Sequence, residues 1–334
     1  MVETVNIPPA EQRTRAASAD RSEISGFGHA HAKVILMGEH TVVHGAPAIA
    51  IPLPTLLARA FARPYRSDID SRSLSDGHFR FVAGSADHQG SGPQIAVEAA
   101  MRQWGITESA VEVIVECDIP VARGLGSSAA CAGAAVRAVA DFYGKVLDPG
   151  KLYDFVQCGE QVSHGRASGI DASAVLASAP IWFHQGVARP VYFGVDAALV
   201  IADTGVPGRT DHAVAGVRRA LDRDPVLAER LIGRASGLVH AAAIDLAAGR
   251  AEPLGLAMLD FQELLFELGV SSPEIENLVV AALCAGADGA KLTGAGMGGC
   301  VLALASIDSA PAVSAALRCA GAVQTWTVHP HHIC

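Results

Sequence analysis

Apolar and polar positions along this chain switch between a period near two and a period near 3.6, and the switches predict strands and helices in mixed order. Residues 27–37 and 46–57 are rich in apolar and β-branched side chains with turn residues between them, which predicts two early paired strands. Residues 92–105 carry a helical apolar face at Ile95, Ala99 and Met101, and Val and Ile alternate with Glu over 111–116 as in a half-buried strand. A helix is expected over 127–143, its first turns built from Ala, Ser, Cys and Gly, small enough for close packing against a neighbouring backbone. Asp148-Pro149 is a cap and first-turn pair for a second helix through about 163, followed by a polar loop over 164–171.

Strands are then predicted at 174–177, 181–183 and 197–202, and helices near 209–222, 226–247, 252–268 and 273–285. Residues 290–293 lead through a glycine-rich turn into a strand at 300–305; a helix over 310–320 and a strand over 323–328 close the pattern. Strands and helices mixed without a regular βαβ repeat favour an α+β fold. A composition shift around 185–197 marks the expected boundary, giving a tail over 1–24, a first domain over 25–190 and a second over 191–334.

Composition narrows the class. A length of 334 residues is enough for about two domains, and the formal charge of −9 excludes a general nucleic-acid or anionic-membrane surface. The most membrane-like stretch, 41–58, is interrupted by Gly45, Pro47, Pro52 and Pro54, and reads as a turn with buried strands. The first residues, with Pro8, Pro9, Arg13, Arg15 and Arg21, lack the apolar core of a signal peptide, so a cytoplasmic protein that does not engage membranes is expected. Seven cysteines form no C-x-x-C pair and sit mostly in apolar segments, as reduced packing residues would.

The candidate chemistry begins at 118–130. Pro120, Val121, Ala122 and Arg123 lead into Gly124-Leu125-Gly126-Ser127-Ser128-Ala129, joining the expected strand to the small-residue helix. Glycines that bend tightly, followed by amides and hydroxyls at the positive end of a helix dipole, make a cradle suited to phosphate. The Walker pattern is absent, because Ser-Ser-Ala-Ala stands where its Lys would follow, and so is the G-x-S-x-G spacing of a nucleophile elbow. Gly294, Gly296 and Gly298 superficially suggest a dinucleotide fingerprint, but a strand rather than a helix is expected after them, so a glycine hairpin beside the cradle fits better.

Lys33 is a cation in an otherwise apolar strand, either a snorkelling edge lysine or a fixed charge beside an anionic substrate. Glu39 and His40 stand at the turn that follows. Glu160 and Asp171 flank the turn after the second helix, and beside a phosphate cradle two carboxylates would supply a magnesium ligand and a group that orients or deprotonates an alcohol.

Lys33-Val-Ile-Leu-Met-Gly-Glu-His-Thr-Val-Val-His-Gly45, residues 120–130 and residues 291–300 resemble the three ordered motifs of the galactokinase, homoserine kinase, mevalonate kinase and phosphomevalonate kinase (GHMP) superfamily. They span nearly the whole chain. The first motif is most similar to the mevalonate kinase members, since Val42 through Ala48 replace the Thr-Asp-Tyr continuation of galactokinases. The resemblance implies an N-terminal α+β domain with a left-handed βαβ unit, a ferredoxin-like C-terminal domain and an active site between them. It also implies ATP and mevalonate as substrates, Mg2+ as cofactor, and suits a homodimer. Carried over by motif, Ser128 and Glu160 resemble magnesium ligands, Asp171 the catalytic base and Lys33 the cation beside it; Glu39 and His40 match the substrate-side turn, and Thr210 a threonine that orders the site.

Two departures qualify the match. Arg166-Ala167 stands where many relatives have a small polar residue and proline; its guanidinium is a candidate for the substrate carboxylate or for bracing the loop. Met297 replaces a usual glycine and is expected to narrow the cleft near the phosphates. Rival readings are a sister kinase acting on another small alcohol, a silent ligand sensor on the same fold, and a dehydrogenase.

Overall fold

The computed structural model describes residues 26–65, 78–84, 90–107, 110–164 and 167–329. An antiparallel six-stranded sheet is organised around one long strand. β1 (Gly26–Met37) pairs antiparallel with β2 (Ala48–Pro64), and β2 presents its other edge to two partners in turn. Its first residues pair with β5 (Ile181–His184) and its last with β4 (Val111–Cys117); β3 (His78–Ala83) and β6 (Val187–Pro190) complete the outer edges. Burial follows the sequence: β2 is apolar throughout its first half, then alternates, with Ala58, Ala60 and Ala62 turned into the core.

Helices α1 (Gly92–Gln103), α2 (Ser127–Phe142) and α3 (Pro149–His164) pack together, with α2 against β1 and β2. The contact of α2 with β1 is backbone-close. A Cβ added at Gly28 would lie 2.3 Å from the Ala134 carbonyl oxygen, so the alanine-rich face of α2 and this glycine are one packing device. α4 (Ile170–Leu176) covers another patch of the sheet, placing Ile170 and Ala174 with Ile35, Ala48 and Phe183.

The second sheet has the order β10-β7-β9-β8, built from β7 (Ala198–Asp203), β8 (Ala287–Thr293), β9 (Cys300–Ala305) and β10 (Gln324–Val328), all antiparallel. Numbered within this half, the order is 4-1-3-2, the ferredoxin-like arrangement. α7 (Ala251–Glu267), α8 (Pro273–Cys284) and α9 (Ala310–Cys319) pack on it, while α5 (Thr210–Arg223) and α6 (Pro225–Ala248) precede them. The fold is therefore α+β, as the patterning predicts.

Several local expectations are corrected. Residues 174–177, expected as a strand, belong mostly to α4, because Ile170 and Ala174 lie one helical turn apart on the buried face, a spacing a four-residue apolar window cannot reveal. β3 and β6 fall outside the expected elements; β6 is wholly exposed and leaves no apolar signal, whereas β3 buries Phe81 and Ala83 and carries an alternation that a six-residue window makes easy to miss. Among the described residues, the helix long and apolar enough to cross a membrane is α6 rather than 41–58. Leu231, Ala235, Val239, Ala242 and Leu246 form a stripe along α6 that packs into the protein core, which accounts for its apolar character. Among the described cysteines only Cys131 and Cys300 are buried, while Cys284 and Cys319 are exposed, so the packing role applies to fewer than the sequence suggests.

Candidate active site

The cradle forms where β4 hands over to α2. Gly124 and Gly126 take left-handed φ values of 79° and 78°, and Gly126 caps α2 without a side chain to occupy its first amides. The Gly126 carbonyl accepts from Ala130 N at 2.9 Å, starting the helix and leaving the amides of Ser127, Ser128 and Ala129 without helical partners. Leu125 contributes through its backbone: its side chain is buried and its carbonyl accepts from Lys33 N at 3.0 Å. Pro120, half-buried, leads into the turn.

Lys33 is the junction of the site. Its side chain is 2% exposed, so it is not a snorkelling edge lysine; its ammonium donates to the Gly124 carbonyl at 2.8 Å and lies 2.8 Å from Asp171 Oδ1. One cation thus touches both the cradle and the proposed base. Asp171 sits in the first turn of α4 with its side chain 41% exposed, where the helix dipole favours a carboxylate. On the other side of the cradle, Ser128 Oγ donates to Glu160 Oε1 at 2.6 Å, and Glu160 is buried in α3.

These two residues form a hard oxygen pair at the mouth of an anion site. Magnesium takes one or two protein oxygens when phosphates and water supply the rest, so the pair fits that ion. Among the described residues no group of three or more His, Cys, Asp or Glu side chains converges on a competing metal site.

The third motif forms the other wall. Gly294, Gly296 and Gly298 have φ of 87°, 76° and 129°. A Cβ at Gly294 would lie 2.6 Å from Gly124 Cα, so the two glycine turns touch backbone to backbone. The turn joins antiparallel β8 and β9, as a hairpin and not a helix-opening fingerprint, which disposes of the dinucleotide reading. Met297 adopts φ 56°, donates its amide to Val270 O at 2.7 Å and packs against the apolar core. Its side chain is thus partly buried and engaged in packing.

Three contacts knit this wall to the first motif. Thr293 Oγ1 accepts from Ile35 N at 2.9 Å and donates to Ile35 O at 3.1 Å. His40 Nε2 donates to Ala295 O at 2.8 Å; burial lowers its pKa to about 4, so the ring is neutral. Lys291, fully buried, pairs with Glu39, itself 1% exposed, and lies over the Phe261 ring at 5.6 Å. Burial pushes the Glu39 carboxyl up and the Lys291 ammonium down, and each partner's charge opposes the other's shift.

Sequence reasoning did not single out Lys291 or Asp203. Asp203, at the end of β7, holds Arg123 at 2.9 Å, and the same guanidinium donates to Gly205 O at 3.1 Å. Arg123 is therefore a tie between cradle and second sheet, with Nη1 the atom that makes no hydrogen bond inside the protein. A signal for Lys291 was present, a charged residue in an apolar strand just before the glycine turn; Asp203 carried none beyond its place at a strand end. Thr210 opens α5, two residues beyond Gly208, whose amide donates to Ala122 O at 2.8 Å and brings this segment to the rim of the cradle. Arg166 lies outside the described residues.

A two-domain α+β scaffold whose glycine turns meet at an anion cradle, with a lysine-aspartate pair beside it, defines a kinase of the GHMP type. The model of the GHMP kinases N terminal domain matches residues 93–178, and that of the GHMP kinases C terminal region matches 242–323. The mevalonate kinase of Aeropyrum pernix is 36% identical over 293 residues, spanning 81% of this chain and 86% of that protein; the mevalonate kinase of Pyrococcus horikoshii is 34% identical over 325 residues, spanning 89% and 93%. The crystal structure of L. major mevalonate kinase in complex with R-mevalonate superposes with a TM-score of 0.75 at 26% identity, covering 94% of this chain and 99% of that one. The chain belongs to the mevalonate kinase family of GHMP kinases.

Proposed function

We propose that this protein is a cytoplasmic enzyme that transfers the γ-phosphoryl group of ATP to the primary hydroxyl of mevalonate, giving 5-phosphomevalonate and ADP. The observation that carries the reading is Lys33, which contacts the cradle at Gly124 O and the Asp171 carboxylate with one ammonium. Phosphate donor and alcohol acceptor are thereby held on either side of a single fixed charge.

In this reading the amides of Ser127, Ser128 and Ala129 bind the phosphates, and Ser128 and Glu160 would hold magnesium, which would supply charge neutralisation on the phosphate oxygens. Asp171 accepts the proton of the attacking hydroxyl, a step that contributes about 10²- to 10⁴-fold. Lys33 orients Asp171 and polarises the hydroxyl oxygen. The turn at Glu39 and His40, with Thr210, is assigned to the acceptor side, and Arg166 is assigned there on its place in the sequence alone. A silent sensor is disfavoured because Lys33, Asp171, Ser128 and Glu160 are all present, with Lys33 against Asp171 and Ser128 against Glu160.

The test is ADP release with magnesium-ATP against mevalonate, phosphomevalonate, homoserine and galactose. Mevalonate should be turned over with by far the highest kcat/KM; equal or better turnover of another alcohol would replace this assignment with a sister kinase.

A further inference from the structure

Arg123 is the only charged residue between Pro120 and Ser128, yet its guanidinium is committed to protein partners. Nε lies 2.9 Å from both carboxylate oxygens of Asp203, and Nη2 donates to Gly205 O at 3.1 Å. Nη1 is buried without a partner, so a phosphate would have to displace these contacts to reach the charge. Asp203 is itself held in place: it is buried, its Oδ1 accepts from Gly205 N at 2.8 Å and its carbonyl accepts from Val323 N at 3.0 Å. A planar fork seated on a fixed carboxylate and a carbonyl uses the geometry that distinguishes arginine from lysine. Leaving Nη1 buried and unpaired costs stability, which points to a role for the arrangement beyond stability.

The segment that carries Asp203 is tied to both glycine motifs. Towards the cradle, Gly208 N donates to Ala122 O at 2.8 Å. Towards the third motif, Thr204 N and Oγ1 donate to Gly299 O at 2.9 and 2.7 Å, and Gly299 N donates to Val206 O at 2.8 Å. The cradle needs bracing of this kind. Gly124 and Gly126 take left-handed conformations, and Ala122 does so at φ 57° despite its Cβ. A turn of this composition has many alternatives to the one shape that aims its amides at a phosphate. From β1, Lys33 holds Leu125 O with its amide and Gly124 O with its ammonium; from the second sheet, the bracing arrives through Ala122 and Arg123.

We infer that Arg123 and Asp203 are a positioning pair for the nucleotide, holding the cradle in its phosphate-binding shape while neither touches a phosphate. The inference rests on the kinase reading for its ligand and moves Arg123 from contact to positioning. With the tie broken, the turn spreads over other conformers, and part of the interaction energy with the phosphates goes into reordering it, so affinity falls. The charge that does reach the cradle is Lys33, which is held by Gly124 O and Asp171 and not by Arg123 or Asp203. Loss of the tie should therefore weaken the nucleotide far more than the acceptor.

The experiment is a double-mutant cycle on the whole protein with Arg123→Gln, Asp203→Asn and the two together. It reads the Kd of methylanthraniloyl-ATP with magnesium, and KM for ATP and mevalonate, well below the unfolding temperature of each variant. Each single change should weaken the analogue about three- to thirtyfold, the range for residues that tune a site without touching its ligand, while KM for mevalonate at saturating ATP moves little. The double variant should bind no worse than the weaker single, because one tie can be lost only once. It also leaves no unpaired charge, so it reports on the pair even where a single variant folds poorly. The loss should be equal at low and high salt, since no contact between charge and phosphate is removed. Unchanged or tighter binding by Asp203→Asn beside a weakened Arg123→Gln, or a loss in the double variant that shrinks as salt rises, would make Arg123 a phosphate ligand and overturn the inference. Lower thermal stability with unchanged affinity would overturn it too, leaving a structural tie alone. Failure of the unaltered protein to bind the analogue would instead remove the kinase reading itself.

Discussion

Lys33 and Lys291 each meet a carboxylate from a distant part of the chain, in the first and third motifs of the same site. The Lys33 partner, Asp171, keeps 41% of its side chain exposed, whereas Lys291 and Glu39 are 0% and 1% exposed. The open pair has one member in water, where a substrate hydroxyl can replace solvent. The closed pair excludes solvent and joins β8 to the turn after β1, alongside the Thr293–Ile35 and His40–Ala295 hydrogen bonds. In the proposed mechanism like chemistry serves reactivity in one place, while in the other it ties two glycine-rich motifs together, and burial is what separates the two pairs. A sealed ion pair is a costly choice for stability alone, because desolvation of both charges offsets much of their attraction.

Substitutions at the two pairs should separate these roles. Asp171→Asn should lower kcat by about 10²- to 10⁴-fold, because the amide fills the same space yet cannot accept the proton. Nucleotide affinity should hold, and near-normal turnover would remove Asp171 from the base role. Lys291→Met should act mainly on folding, leaving Glu39 buried without its counter-ion and costing about 3–5 kcal/mol in urea denaturation. Adding Glu39→Gln to Lys291→Met should recover most of that loss; equal instability of the single and double variants would deny the pair its aligning role.

A smaller effect should come from His40, whose pKa is about 4 in the folded protein against an ordinary value of 6.5. Between those values the unfolded chain binds a proton that the folded one refuses, so stability falls as pH drops from 6.5 towards 4 and is complete above 6.5. The full swing is on the order of 3 kcal/mol. His40→Asn, which tolerates the φ of 60° at this position, should flatten that part of the stability profile. An unchanged slope would place the pH sensitivity elsewhere.

The same contrast shows why parts of the site were legible and others were not. Gly124, Gly126, Ser127 and Ser128 announce a cradle because a tight bend and a helix start each demand particular residues within a short window. Lys33 drew notice as a charge in an apolar strand, but its two readings, edge lysine or fixed cation, differ only in burial, which the surrounding elements set. Arg123 reads as a phosphate ligand from its place in the loop, yet its guanidinium is held mainly by Asp203 from another sheet. Residues 174–177, most of which close α4, read as a strand because a four-residue apolar window fits either period, and the buried Ile170–Ala174 face is visible only against Ile35 and Phe183.

By itself, then, the sequence determined what local physics can encode: the α+β order of elements, the glycine turns, the alanine-rich face of α2 and the motifs that place the chain in its family. Tertiary structure alone decided the pairings. Lys33 with Asp171, Glu39 with Lys291 and Arg123 with Asp203 join residues from different elements, and no period or turn rule specifies them. Which charge meets which follows from how β1, α4, β7 and β8 converge, because hydrophobic burial drives that convergence without regard to charge identity, and only the packed geometry then fixes the distances on which electrostatics and catalysis depend.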